Sequence, residues 1–250
     1  MKYIAKINGI EVEAYYSDQC IDQILLPLLY RLNDIQKKKQ GRILVMLAAP
    51  PGTGKSTLSS FLQYLSEANG LEPLTVIGMD GFHRYQSYLL SHEIVRDGKT
   101  INMVDAKGAP ETFDLDKLED RIMMIKENDI CLWPSYDRVM HNPKEDDISV
   151  SGNIVLLEGN YLLLDDDGWR DIRNYADYTI AIKADIDVLR ERLIARKMNS
   201  CISYEHARRF VESSDLYNAR TCLEKTMKAD LNLVMRSDGE YYLEDKYKNA

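Results

Sequence analysis

Gly54-Lys55-Ser56 closes a ten-residue stretch, Ala-Ala-Pro-Pro-Gly-Thr-Gly-Lys-Ser-Thr at 48–57, whose residue types are suited to holding a chain of phosphates. Backbone N–H groups of residues 50–55 can wrap a phosphate at the start of a helix, where the dipole favours anions. Gly52 and Gly54 permit the unusual backbone path. Lys55 can reach the β- and γ-phosphates, and the Ser56 hydroxyl can ligate Mg²⁺. Pro51, Thr53 and Thr57 complete the candidate cradle. The pattern G-x-x-x-x-G-K-[ST] asks for glycine at position 49, where this chain has Ala49. A methyl group there costs about 1 kcal/mol or less if φ stays negative, and it displaces none of the groups that touch phosphate.

Two acids follow apolar runs. Asp80, in Met-Asp-Gly-Phe-His-Arg-Tyr after the run 74–79, can accept the proton of a substrate hydroxyl or ligate Mg²⁺. Its plainer reading is a turn before Gly81. Glu158 ends the run 153–157 and is placed as an acid beside the metal, because a buried carboxylate needs a cation or donors; the plainer reading is a strand-end glutamate. The stretch 133–143 offers Trp133, Tyr136, Asp137, Arg138 and His141, which suit a small polar substrate or an ordinary polar loop. Arg192 and Arg196 stand four apart on one helix face, either to stabilise transferred charge or as a solvated face beside Glu191 and Lys197.

These residues need elements to carry them. The stretch 42–49 is continuously apolar, as in a strand buried on both faces of a parallel sheet. Leu58, Phe61, Leu62 and Leu65 then recur at helical spacing up to Asn69-Gly70. Further strands are expected at 74–79, 129–133, 153–159, 178–183 and 230–236, with helices at 114–127, 185–198 and 203–228. Alternating strands and helices imply an α/β chain with a doubly wound parallel sheet of five to six strands and a helical lid, its ligands at the carboxyl ends of the strands. Ahead of it, alternation around Asn8-Gly9 predicts a β-hairpin over 2–15, followed by an amphipathic helix that Pro27 kinks or interrupts. The expected division is an N-terminal hairpin-and-helix extension, 1–40, and a core domain, 41–250.

The composition bounds the partners. Of 250 residues, 32 are basic and 40 acidic, a net charge of −8, which disfavours general nucleic-acid binding. Lys37–Lys39 reads as the solvated end of a helix. Cys20, Cys131, Cys201 and Cys222 form no C-x-x-C pair, and the histidines show no H-E-x-x-H spacing, so neither a disulfide framework nor a zinc site is indicated. No apolar run approaches membrane length and no signal core opens the chain, so a cytoplasmic protein without membrane contact is expected. The hairpin could add an edge strand across a homodimer.

Five segments, Pro-Pro-Gly-Thr-Gly-Lys-Ser-Thr, Met-Asp-Gly-Phe, Lys-Gly-Ala-Pro-Glu-Thr-Phe-Asp, Pro-Ser-Tyr-Asp-Arg and Leu-Leu-Glu-Gly-Asn-Tyr-Leu-Leu-Leu, stand in the order used by the uridine kinase, pantothenate kinase and phosphoribulokinase family. The chain resembles that family over roughly 42–235, and is most similar to its uncharacterised nucleoside- or nucleotide-kinase-like members. The resemblance implies the P-loop NTPase fold, ATP, Mg²⁺, and transfer of the γ-phosphate to an alcohol. It implies that Asp80 is the base, Glu158 the acid near Mg²⁺, and Arg192 and Arg196 part of a lid, with Lys55 catalytic. It places Lys107 near acceptor or phosphates and Asp114 at a helix N-cap. Asp80, His83, Lys107, Tyr136, Arg138 and His141 form the expected acceptor-binding set. The functional expectation is a small-molecule kinase acting on a nucleoside, sugar or pantothenate-like alcohol; the alternative is a non-catalytic ATP-binding regulator.

Overall fold

A computed structural model describes residues 1–7, 9–96, 98–199 and 202–244; Asn8 of the expected turn and Cys201 lie outside the described residues. Strands β1 (Lys2–Ile7) and β2 (Ile10–Tyr15) pair antiparallel as the expected hairpin. Helix α1 (Asp18–Cys20) opens on a Ser17 cap and runs through a π-helical turn at Ile21–Leu25 into α2 (Leu26–Lys39). Pro27 thus stands inside a continuous helical run, just past the π turn, so the irregularity lies where its missing N–H deprives a preceding carbonyl of its donor. Strand β3 (Ile43–Ala48) feeds the glycine-rich loop and helix α3 (Lys55–Ala68).

Strand β4 (Leu74–Gly78) passes into a 3-10 turn at Met79–Phe82, helix α4 (Gln86–Ser91) and a small hairpin of β5 (Glu93–Arg96) and β6 (Lys99–Asn102). Asp114 caps α5 (Leu115–Glu127) as expected, accepting from the Lys117 N–H. Then come β7 (Cys131–Asp137), β8 (Asn142–Val150), β9 (Ile154–Gly159), α6 (Trp169–Ile172) and β10 (Tyr178–Ala184). Helices α7 (Ile186–Met198), α8 (Tyr204–Phe210) and α9 (Leu216–Lys225), with a π turn at Val211–Asp215, precede β11 (Leu231–Met235) and β12 (Tyr241–Leu243).

The central sheet has six strands in the order β12-β11-β10-β3-β9-β4, all parallel except β12. Its apolar runs are continuous because alternate residues feed opposite layers. Ile43, Val45 and Leu47 pack with α2, α3 and α7, while Leu44, Met46 and Ala48 pack with α5 and the segment 161–164. Each fully buried aliphatic side chain of this kind contributes about 1.5–3 kcal/mol. The N-terminal hairpin lies on α3: the Tyr3 hydroxyl meets Ser60 Oγ at 2.8 Å, and Tyr16 stacks on Phe61 with centroids 4.0 Å apart. Beside it, the Ser17 N–H donates to Glu240 Oε1 (2.7 Å) and Tyr16 stacks against Tyr241. Among the described residues no helix is long and apolar enough to cross a membrane.

One expected strand is not in the sheet. Cys131–Trp133 begins β7, which pairs only with β8 in a separate antiparallel hairpin, and the sixth sheet position belongs to β12. The stretch 133–143, expected as a loop, is that hairpin. Its apolar residues are buried for another reason. Trp133 is fully buried beneath the 3-10 turn and donates its indole N–H to the Gly78 carbonyl (2.9 Å), which fastens the hairpin to the end of β4. The turn and β7 press so closely that a Cβ at Gly81 would sit 2.2 Å from the Pro134 carbonyl oxygen. Gly81→Ala is therefore expected to destabilise the fold by about 1–3 kcal/mol through overpacking against backbone. Urea unfolding reads this, and an unchanged midpoint would show that the turn is free to move.

Candidate active site

Strand order brings three functional ends together. β9 lies between β3 and β4, and Glu158 pairs in register with Leu47 on one side and Gly78 on the other. The glycine-rich loop leaving β3, Glu158 on β9 and Asp80 just past β4 therefore share one edge. Ala49 is buried, its N–H donates to the Gly159 carbonyl (3.1 Å), and it is not among the residues with positive φ, so the methyl is accommodated without strain. Gly52 and Gly54 do have positive φ, +92° and +82°. A Cβ at Gly52 would meet Leu193 Cγ at 3.2 Å, and one at Gly54 the Tyr241 hydroxyl at 3.1 Å. The loop is braced from outside: Arg192 Nε donates to the Gly52 carbonyl (2.7 Å) and the Tyr241 hydroxyl to the Thr53 carbonyl (2.8 Å). Thr53 is buried and turns its hydroxyl onto the Pro50 carbonyl (2.8 Å), while Pro51 and Thr57 flank it half-buried.

The charged groups divide into two environments. Ser56 Oγ donates to Glu158 Oε1 (2.6 Å), and Lys55 Nζ lies 3.9 Å from Glu158 Oε2. Burial nevertheless raises the Glu158 pKa above its ordinary value; Lys55 and Ser56 oppose this and the Asp80 charge adds to it. Asp80 moves the other way. Burial works against its charge, but His83, Lys55, Arg138 and Arg196 outweigh it and hold the carboxyl below its usual range. Of these, Arg138 forms an ion pair, its Nη2 lying 3.3 Å from Asp80 Oδ2. Two neighbouring carboxyls with opposed shifts are the arrangement in which acid–base and metal-side roles separate.

Beyond Asp80 lies a mostly aromatic and amide wall. The His83 ring stacks on Phe113 (4.0 Å) and meets the Tyr136 edge (5.1 Å). Burial lowers the His83 pKa to about 4, aided by Lys107 and resisted by Asp80. Burial and then the Asp80 charge push the Tyr136 hydroxyl up to about 12. Lys107 Nζ donates to Gln86 Oε1 (2.7 Å) and to the His141 carbonyl (3.1 Å). The structure thus brings Asp80, His83, Lys107, Tyr136 and Arg138 together. His141 contributes its carbonyl from the hairpin turn, at φ +53°, and its side chain is exposed. The Asp137 carboxylate is occupied with the Val139 and Met140 N–H groups of that turn. Arg192 sits on the loop, and Arg196, one helical turn on, is near enough to lower the Asp80 pKa.

Several residues at the site carried no motif. A cavity of about 270 Å³ opens beside Ser56, Glu158, Asp80 and Arg138, and Lys6 and Ile7 of the N-terminal hairpin line its far side. Asn160, two residues after Glu158, and Asn218 on α9, which adjoins Gly108, carry buried oxygens without a hydrogen-bond partner among the described residues. Only the position of Asn160 behind an expected catalytic acid offered a signal.

Comparison with known proteins agrees with this geometry. The model of the Phosphoribulokinase / Uridine kinase family matches residues 44–215. The chain belongs to that family. Among its relatives, the uncharacterized protein YggC of Escherichia coli K12 is 38% identical over 244 residues, 97% of this chain and 99% of that one. A provisionally described uridine kinase of Schizosaccharomyces pombe is 35% identical over 197 residues, covering 76% and 81%. A solved structure from Silicibacter sp. TM1040, provisionally described as a fructose transport system kinase, superposes with a TM-score of 0.72 at 31% identity, over 82% of this chain and 98% of that one. The family relationship establishes a P-loop kinase at the level of fold and class; its named members act on different acceptors.

Two outcomes follow from the site itself. Ala49→Gly should leave activity within about twofold and lower stability by up to about 1 kcal/mol, since it only loosens the unfolded chain; a large gain in activity would show that the methyl obstructs the loop. His83 is held neutral, so the unfolded chain binds its proton first and stability falls as pH drops from about 6.5 toward about 4. Denaturant titrations across that window should be flatter for His83→Gln than for the parent, and equal slopes would show that His83 is not the group responsible.

Proposed function

We propose that the protein is an ATP- and Mg²⁺-dependent kinase that transfers the γ-phosphate to a hydroxyl of a small metabolite. The observation that carries this is Asp80: a carboxylate kept ionised by surrounding cations, one strand from Lys55 and Glu158, at the edge of a pocket beyond the phosphate loop. A protein that only bound nucleotide would have no use for a base in that place. The residues fit Mg²⁺, which is usually held by one or two protein oxygens together with substrate phosphates; Ser56 and Glu158 offer two hard oxygens at bonding distance from each other. When bound, the ion would supply positive charge to offset the negative charge of the phosphates, held by Ser56 and Glu158.

The chain's own groups do the rest. The backbone of 50–55 and Lys55 receive the phosphates, and Arg192 keeps that loop in shape through the Gly52 carbonyl. Asp80 aligns the acceptor hydroxyl and takes its proton as that oxygen attacks phosphorus and the bond to the ADP oxygen breaks. Arg196 and Arg138 hold Asp80 charged until then. Arg192 and Arg196 of α7 would belong to a lid that limits water at the reacting centre.

Lys55→Ala is expected to abolish transfer without unfolding the protein. Asp80→Asn keeps size and one hydrogen-bonding oxygen but loses basicity, so kcat should fall by about two to four orders of magnitude while Mg²⁺-ATP binding changes little. Glu158→Gln should instead raise the Mg²⁺ concentration for half-maximal activity. ATP titrations and a Mg²⁺ series on the purified variants read both effects. Loss of nucleotide binding in Asp80→Asn, with turnover retained, would exchange the two roles.

A further inference from the structure

Consecutive residues where β11 turns into β12 meet both braces of the phosphate loop. A Cβ on Gly239 would lie 3.6 Å from Arg192 Nη1, so the backbone there backs the guanidinium whose Nε holds the Gly52 carbonyl. Glu240 accepts the Ser17 N–H on Oε1 (2.7 Å) and the Ser17 hydroxyl on Oε2 (3.0 Å). That pair ties the turn to the end of the N-terminal hairpin and to the cap of α1. Tyr241 is 4% exposed, and its hydroxyl donates to the carbonyl of the buried Thr53 (2.8 Å). Burial raises the pKa of that hydroxyl, so it stays a donor. Ser17, Glu240 and Tyr241 all lie outside residues 44–215, the stretch matched to the kinase family.

The Tyr241 bond acts on the part of the loop that receives phosphate. In a trans peptide the carbonyl and the following N–H point in opposite directions, and no cis bond occurs among the described residues. Holding the Thr53 carbonyl toward Tyr241 therefore turns the Gly54 N–H away from it, into the hollow of the loop. The same hydroxyl stands 3.1 Å from where a Cβ on Gly54 would be, immediately before Lys55 begins α3. A peptide freed from this bond can reorient, and nucleotide must then order it at a cost in affinity. The Tyr241 ring is itself held. It stacks on Tyr16 with centroids 6.3 Å apart, and Tyr16 stacks on Phe61 of α3 at 4.0 Å. The inner end of the N-terminal extension and the bracing hydroxyl thus form one packed unit.

We propose that Tyr241 is a positioning residue for the nucleotide, and that the seated N-terminal extension, acting through Ser17, Glu240 and Tyr241, sets how tightly the phosphate loop binds it. This rests on the part of the proposed function that seats nucleotide in the loop, and it is independent of the acceptor. It gives the extension a task in the reaction. A chain whose extension is unseated keeps Lys55, Ser56, Glu158 and Asp80 but presents them beside a less ordered cradle.

The test uses the full chain and a non-hydrolysable ATP analogue with Mg²⁺, titrated by calorimetry. Tyr241→Phe keeps the ring on Tyr16 and removes only the hydroxyl. The Kd for the analogue should rise about three- to tenfold, the worth of one hydrogen bond. In ADP-release assays KM for ATP should rise with kcat little changed, as for a lost interaction that serves binding alone. Glu240→Ala breaks the tie to Ser17 without touching the hydroxyl. It should raise Kd in the parent but add nothing in the Tyr241→Phe background, because both act through the Thr53 carbonyl. Each Kd is measured far below the urea midpoint of its variant, so a purely structural role would lower the midpoint and leave Kd alone. Ser17→Ala, at a half-buried position, repeats the test should Glu240→Ala fold poorly. A parental Kd in Tyr241→Phe overturns the proposal and leaves the kinase reading standing. Effects of Glu240→Ala and Tyr241→Phe that simply add overturn the link to the extension. The expected Kd shifts without ADP release from any acceptor would do the reverse, keeping the brace and overturning the kinase reading.

Discussion

A buried carboxylate on the strand between two others, answered by the first residues of a helix, organises this molecule. Glu158 occupies the one register position from which a β9 side chain adjoins both the end of β3 and the end of β4. Burial penalises its charge, and Lys55 and Ser56, the first two residues of α3, are the groups that answer it. A one-residue slip of β9 would turn the carboxylate to the other face of the sheet and leave α3 without its anchor. The phosphate loop, the start of α3 and the position of Asp80 are thus set by a single pairing register inside a sheet whose apolar layers fix it from both sides.

Around that pairing, the second carboxyl is controlled by different means. Asp80 is not deeply enclosed by its own strand; it is held by cations from other elements, Arg138 on the β7–β8 connection, Arg196 on α7 and Lys55 on α3. Its protonation state therefore reports on the placement of three separate pieces of structure. Glu158 depends on local register and Asp80 on long-range assembly, so the two carboxyls are controlled independently.

Much of this arrangement was legible in the residues, for physical reasons that differ by element. The runs at 43–48 and 154–159 read as buried parallel strands because both faces are covered, and the glycines of the loop because only two positions demand positive φ. The run at 131–133 failed because a hairpin pinned beneath a turn buries Trp133 as completely as a sheet would, so apolarity alone did not distinguish them. β12 was missed because three residues give no periodicity. Lys6 was missed because an exposed lysine reaches the cavity only through the fold, and its spacing in the chain says nothing. The resemblance to the kinase family supplied the position of Lys107, whereas its bonds to Gln86 and the His141 carbonyl could be seen only in three dimensions.

The bond from Tyr241 to the Thr53 carbonyl has a kinetic meaning. The nucleotide loop is shaped by a residue 188 positions later in the chain, and the neighbouring Ser17–Glu240 contact spans 223. The entropy of closing such long loops grows only logarithmically, so thermodynamic stability is little affected. Rate is another matter, since contacts of this separation raise contact order and slow folding. During synthesis the loop sequence is made well before the strand that braces it, which follows 188 residues later. A nascent chain therefore carries an unfastened phosphate loop until that strand is made, and a braced loop becomes a sign that the whole sheet has closed.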